Sequence, residues 1–150
     1  MQAQILAPAA VLVVWSLIIL LWLFATRFPA LSRAGIDLRQ APPGGRGQDL
    51  DGKVEAKAQW KAHNYAHLME QPTLFYATVL ILAIMGAGAV DVAMAWSYVA
   101  LRIVHSLWQA TVNRVLVRFG LFIASTLCLM VLAVRAVAVT VFHDPAGLTG

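Results

Sequence analysis

Residues 5–25 form one apolar run without a single charged side chain. At a helical rise of about 1.5 Å per residue such a run reaches roughly 30 Å, the thickness of a bilayer's hydrocarbon core. A soluble chain of 150 residues, 61% of them hydrophobic and 12% charged, would lack the polar surface needed to cover its core, so lipid is the expected solvent. Backbone groups in lipid must be satisfied within their own segment, which selects helices. The apolar runs predict one all-α membrane domain over residues 1–150, a bundle of four transmembrane helices near 5–27, 53–84, 92–109 and 115–142. No Lys or Arg precedes the first run. It is therefore read as a retained first span rather than a cleaved signal, with Pro8 in its opening turns.

Eleven basic and seven acidic residues give a net charge of +4. Arg27, Arg33, Arg39, Arg46, Lys53, Lys57 and Lys61 all lie in or beside the connection at 28–52. Basic residues gathered on one membrane-flanking segment match the positive-inside rule and not a nucleic-acid partner. They predict an outer N-terminus, a long cytoplasmic loop over 28–52, an outer turn around 86–91, Arg114 and Arg118 inside, and an outer tail at His143-Asp144-Pro145. The core of the loop, Ala41-Pro42-Pro43-Gly44-Gly45-Arg46-Gly47, breaks both helix and strand. A loop of this length is either functional or disordered. The single Cys128 permits no intramolecular disulfide and reads as a small side chain inside the last span.

Polar residues at membrane depth carry the functional signal. His63, His67 and Glu70 follow i, i+4, i+7 spacing on the second helix, and Tyr98, Arg102, His105 and Gln109 share a face of the third. An ionisable group at that depth costs at least about 2.5 kcal/mol unless it is paired or faces water. Glu70 and Arg102 are the expected mutual partners. Two readings remain open: a structural ion pair that sets helix register, with His105 as its neighbour, or a binding site. His63, His67, Glu70 and His105 also supply metal-ligand chemistry, but His-x-x-x-His is a common helical coincidence and Arg102 competes for the carboxylate, so no metal is assigned. Arg114 and Arg118 lie four apart at the start of the last helix. Snorkelling to headgroups suits Arg114, and a role in a site suits Arg118.

The segment Lys61-Ala62-His63-Asn64-Tyr65-Ala66-His67-Leu68-Met69-Glu70-Gln71-Pro72-Thr73-Leu74-Phe75 resembles the second-helix signature of the MAPEG superfamily, the membrane-associated proteins in eicosanoid and glutathione metabolism. Arg102-Ile103-Val104-His105, followed by Arg114 and Arg118, is similar to that family's third-helix Arg-x-x-His and its paired arginines on helix four. The resemblance implies a homotrimer of four-helix bundles that binds glutathione between subunits near the cytoplasmic face and takes lipophilic substrates from the bilayer. It implies that Glu70 and His105 contact the peptide, that Arg102 holds Glu70, and that Arg118 is the catalytic group beside the sulfur. His63, His67, Gln109 and Arg114 complete the implied glutathione-binding set. Four positions depart from the pattern. His67 stands where the family has Asn, Pro72 follows Glu70 after one residue rather than two, Gln109 replaces an aromatic hydroxyl, and Phe119 replaces a Ser. They point to a bacterial-type member, implying the inner (cytoplasmic) membrane. Two functions follow: a glutathione transferase or peroxidase acting on lipophilic electrophiles, or a non-catalytic module that binds membrane lipid or assembles with another membrane complex.

Overall fold

The computed structural model describes residues 2–142, and the His143-Asp144-Pro145 tail lies outside the described residues. The chain is all-helical there: α1 (Gln2–Arg33), α2 (Ala56–Glu70), α3 (Pro72–Met85), α4 (Ala89–Thr111) and α5 (Val115–Val141). Helices α2 and α3 form one rod, Ala56–Met85, interrupted at Gln71 because Pro72 has no N–H to continue the ladder. Four rods therefore run alternately up and down. The long connection marks the loop end of the bundle, and Gly86, left-handed at φ 97°, marks the turn end where α3 reverses into α4.

Several boundaries differ from the sequence reading. Helix α1 continues through Pro29 to Arg33, six residues past the expected end at 27, because Ala30 and Leu31 bury against Val54 and Ala58. That packing outweighs the hydrogen bond a proline forfeits. The segment expected as loop over 28–52 is thus partly helix, and it contains two further 3-10 turns, Leu38–Gln40 and Gly47–Leu50. Helix α4 starts at Ala89 rather than 92, since the Gly88 amide donates to the Asp91 carboxylate at 2.8 Å and caps the first turn.

Among the described residues three rods are long and apolar enough to cross a membrane: α1, the α2–α3 rod and α5. Helix α4, at 23 residues about 35 Å long, has the length but not the hydropathy. It carries Asp91, Tyr98, Arg102, His105, Ser106 and Gln109, and buries all of them against its neighbours. The other helices screen this polar face from lipid, while Val90, Trp96, Val104 and Leu107 on the opposite face are exposed. Along α1, before the loop-end pair Ala30 and Leu31, the buried residues form the stripe Ile5, Pro8, Leu12, Ser16, Ile19, Leu23, at spacings of three or four. The opposite face exposes Val13, Leu17, Leu21, Phe24 and Phe28. An outward apolar face of this kind requires hydrocarbon or protein against it, and the molecule is an integral membrane protein. In the core Phe75 stacks on Tyr98 with ring centroids 4.3 Å apart.

Polar ties hold the rods in register. Ser106 Oγ accepts from Trp15 Nε1 at 3.0 Å and from Asn64 Nδ2 at 2.9 Å, joining α4 to α1 and α2. Gln71 at the rod's break donates to Thr126 on α5 at 2.9 Å and accepts from the Tyr98 hydroxyl at 3.3 Å. At the turn end the Arg135 guanidinium pairs with the Asp91 carboxylate, locking α5 to the first turn of α4. The connection is tied down at the loop end. Asp51 accepts from Gln59 and lies 3.1 Å from His63 Nε2, and Arg27 donates to the Gly47 carbonyl at 2.7 Å.

Asp91 both caps α4 and pairs with Arg135, so Asp91→Asn is expected to lower stability by about 1–2 kcal/mol. Thermal unfolding followed by circular dichroism in detergent should show it, and adding Arg135→Gln should cost less than the two single losses combined. The Gln59 hydrogen bond, with the charges of His63 and Arg27 beside it, holds the Asp51 carboxyl below its ordinary value of 3.8 against a smaller opposing effect of desolvation. Its contribution is therefore present above that value and is lost as the pH falls through the lower, folded one. Amide-hydrogen exchange across 46–54 should be protected from neutral pH down to about the ordinary aspartate range and lose protection below it. Asp51→Ala should lose the same protection at neutral pH.

Candidate functional site

A small cavity of about 190 Å³ opens at the loop end between α2, α4 and α5, lined by His67, His105, Val115, Arg118, Phe119 and Phe122. Helix α2 supplies His67 from its last turn. Helix α4 supplies His105, one turn beyond Arg102. Helix α5 supplies the rest from its first two turns, where Val115, Arg118, Phe119 and Phe122 recur at helical spacing.

His67 links the parts of this arrangement. Its ring centroid lies 5.0 Å from that of His105 and 5.5 Å from that of Phe122. Its Nδ1 is 3.0 Å from the Glu70 carboxylate. Its backbone carbonyl accepts from Arg102 Nη2 at 3.0 Å, while Arg102 Nη1 stands 3.4 Å from its Nε2. Arg102 itself is fully buried, and its Nε has no protein partner. The expected Glu70–Arg102 pair does not form. Glu70 turns outward, its side chain about two-thirds exposed, and takes the neighbouring imidazole three residues back on its own helix. Arg102 reaches instead the carbonyl next to the Pro72 break, where the helix ladder is relaxed.

Arg118 is half-buried, and its Nη1 donates to Asn113 Oδ1 at 2.7 Å. Asn113 sits in the α4–α5 turn with φ 53°, a left-handed conformation that Asn tolerates better than most residues. The tight turn thereby aims a guanidinium along the cavity wall.

The remaining expected residues are dispersed. His63 is exposed and faces Asp51, lining with Arg27, Arg46 and Tyr65 a separate cavity of about 430 Å³. Arg114 is exposed on the surface. Gln109 is buried one turn above His105 with its Oε1 unpartnered, beside the unpartnered Nε1 of Trp108. Among the described residues no three His, Cys, Asp or Glu side chains are placed to share a metal ion. The structure thus gathers His67, His105 and Arg118 around one cavity, sets Arg102 behind them and Glu70 at the rim, and separates His63 and Arg114.

Sequence reasoning passed over Asn64, Gln71, Ser106 and Thr126, which anchor the helices that carry the site. One signal for them was present: Asn64, Leu68 and Gln71 also follow i, i+4, i+7 spacing, one step round the helix from His63, His67 and Glu70. Two faces of one helix offered similar polar patterns, and only packing tells which is buried.

One guanidinium, Arg118, and no carboxylate in a lining walled by Phe119 and Phe122 favour an anionic guest over a cationic one. The lining contains no hydroxyl or amide side chain.

Neither a search of curated proteins nor one of solved structures returned a match. The MAPEG family model, by contrast, matches residues 5–138, which takes in every residue of the cavity, its Arg102 support and nearly the whole of all four rods. The chain belongs to the MAPEG family of integral membrane proteins.

Proposed function

We propose that this protein is a membrane glutathione transferase or peroxidase, in which Arg118 stabilises the thiolate of glutathione for attack on a lipophilic electrophile. The observation that carries the reading is the placement of Arg118: half-buried, held at 2.7 Å by Asn113, and lining a cavity with His67 and His105 whose far wall is aromatic. A free thiol with a pKa near 8.5 is only a few per cent ionised at neutral pH, and lowering it two units takes about 2.7 kcal/mol of preferential stabilisation of the anion. A guanidinium in a partly desolvated wall supplies an interaction of that order. His105 and Glu70, with His67 between them, offer a donor and an acceptor for the amide and ammonium groups of the tripeptide. Arg102 acts through the His67 carbonyl as a positioning residue.

In the transferase reaction the thiolate sulfur forms a bond to an electrophilic carbon as the leaving group departs with its electron pair. In the peroxidase reaction the sulfur takes the terminal oxygen of a hydroperoxide, and the alkoxide released is protonated to an alcohol. A second glutathione then reduces the sulfenic product, giving glutathione disulfide and water. Phe119 and Phe122 open the cavity towards the apolar side, where a bilayer-dissolved substrate arrives. A cavity of about 190 Å³ is smaller than the roughly 300–1,000 Å³ usual for small-molecule sites. Its small size and the exposed apolar start of α5 support a homotrimer in which a neighbouring subunit completes the site. The cationic connection supports a cytoplasmic loop end, where glutathione is available, and a bacterial inner-membrane setting for a member of this type.

One observation favours a second reading. With Phe119 and Phe122 in the wall and no side-chain hydroxyl or amide, the cavity offers few donors for a thiolate beyond Arg118. A non-catalytic module that binds lipid or joins another membrane complex would tolerate this composition.

Ultraviolet difference absorbance of glutathione at pH 7 separates the two. The enzyme reading expects a saturable thiolate signal in the detergent-solubilised protein that disappears in Arg118→Leu. A trimeric protein that raises no signal would rule out thiolate activation. Arg102→Leu should raise the glutathione concentration at half-saturation about five- to tenfold, roughly 1–1.4 kcal/mol, and leave the plateau unchanged, because Arg102 touches His67 and not the cavity. A lost plateau with unchanged half-saturation would contradict the positioning role.

A further inference from the structure

A cavity of about 1010 Å³, larger than the one at Arg118, lies at the loop end of α1 and is partly covered by the connection folded back over the last turns of that helix. It shares no lining residue with the Arg118 cavity.

Its wall has two parts. The lower part continues the apolar span: Phe24 and Phe28, with ring centroids 5.9 Å apart and both substantially exposed, and Leu31 beyond them. The upper part is cationic, with Arg27, Arg46 and Lys53. None of the three is in ion-pair contact with a carboxylate among the described residues. Two acids also line the cavity; backbone amides orient them but leave their charges in place, so three cations against two carboxylates give the lining a net +1. Asp49 accepts from the Arg46 amide at 2.6 Å and Asp37 from the Arg39 amide at 2.9 Å, each capping a 3-10 turn. Arg27 donates only to the Gly47 carbonyl, so its charge is oriented but not neutralised.

Three cations without ion-pair partners among the described residues, set above an aromatic-lined apolar floor at the level where a membrane span ends, match one kind of molecule. We infer that this cavity is a binding site for an anionic phospholipid of the loop-side leaflet. Its phosphate lies among Arg27, Arg46 and Lys53, and the upper part of an acyl chain lies on Phe24 and Phe28. Guanidinium and ammonium groups bind phosphate through charge-assisted hydrogen bonds. A free phosphate would leave the apolar floor unfilled, and a fatty acid would bring a single carboxylate to a cluster built for more oxygen acceptors. The volume accommodates a headgroup, its glycerol and the first carbons of a chain. The folded connection thus has a purpose beyond linking two spans, since it carries two of the three cations.

The test titrates delipidated, detergent-solubilised protein with phosphatidylglycerol and counts lipid retained per chain by native mass spectrometry. One phosphatidylglycerol per chain is expected, with phosphatidylcholine unable to displace it. Arg46→Gln/Lys53→Gln should weaken retention roughly tenfold or more, and Phe28→Ser should weaken it with every charge in place. Arg39→Gln, which removes one charge from the same connection outside the cavity, should have no effect. Equal retention of phosphatidylcholine by the unaltered protein would overturn the inference, as would an Arg39→Gln loss matching that of the double variant. Displacement by inorganic phosphate or oleate at equal concentration would likewise overturn the phospholipid as occupant, in favour of a free anion or a fatty acid.

Discussion

The burial of Arg102 sets the terms for the rest of the molecule. A guanidinium cannot be neutralised at any ordinary pH, and at membrane depth it must find acceptors or water. It finds the carbonyl of His67 on the opposing rod, near the point where Pro72 relaxes the helix ladder. That contact ties α4 to the second rod at the level where Pro72 interrupts it, beside the buried Asn64 and Leu68.

The same economy recurs along α4. Ser106 gathers donors from α1 and α2, Tyr98 meets Gln71, and Asp91 meets Arg135 at the turn end. Lipid offers no hydrophobic driving force between helices, so association rests on close packing and on polar contacts of modest individual strength. A ladder of such contacts at successive turns fixes both register and rotation of the helices. The cavity with Arg118 and His105 inherits its geometry from that ladder. The Asn113 turn then supplies the last constraint by orienting Arg118 from outside the bundle.

The two cavities at the loop end divide the cationic residues between them. Arg118 faces an enclosure built from helices, whereas Arg27, Arg46 and Lys53 face one built largely from the connection. Basic residues near a membrane surface are commonly explained by headgroup attraction alone. Here the fold makes a finer distinction, because Arg27, Arg46, Lys53 and Arg118 line cavities, whereas Arg114 and Arg39 do not line these two.

The sequence by itself determined that this is an all-helical membrane protein with polar residues at depth on two helices. Apolar run length and the cost of unsatisfied backbone in lipid leave no other outcome. The motif around Glu70, Arg102, His105 and Arg118 also disclosed the family. Tertiary structure alone decided which of these residues meet. Spacing along a helix says which side chains share a face, but not which face is buried. His63 therefore looked equal to His67 until packing turned it to the loop, whereas Arg114, already read as facing headgroups, is exposed on the surface. The partner of Arg102 was hidden for the same reason: its acceptor is a backbone carbonyl, which every residue possesses and no sequence pattern singles out. The cavity beneath the connection was hidden too, because chain segments some 20 residues apart form it only when Gly47 docks on Arg27.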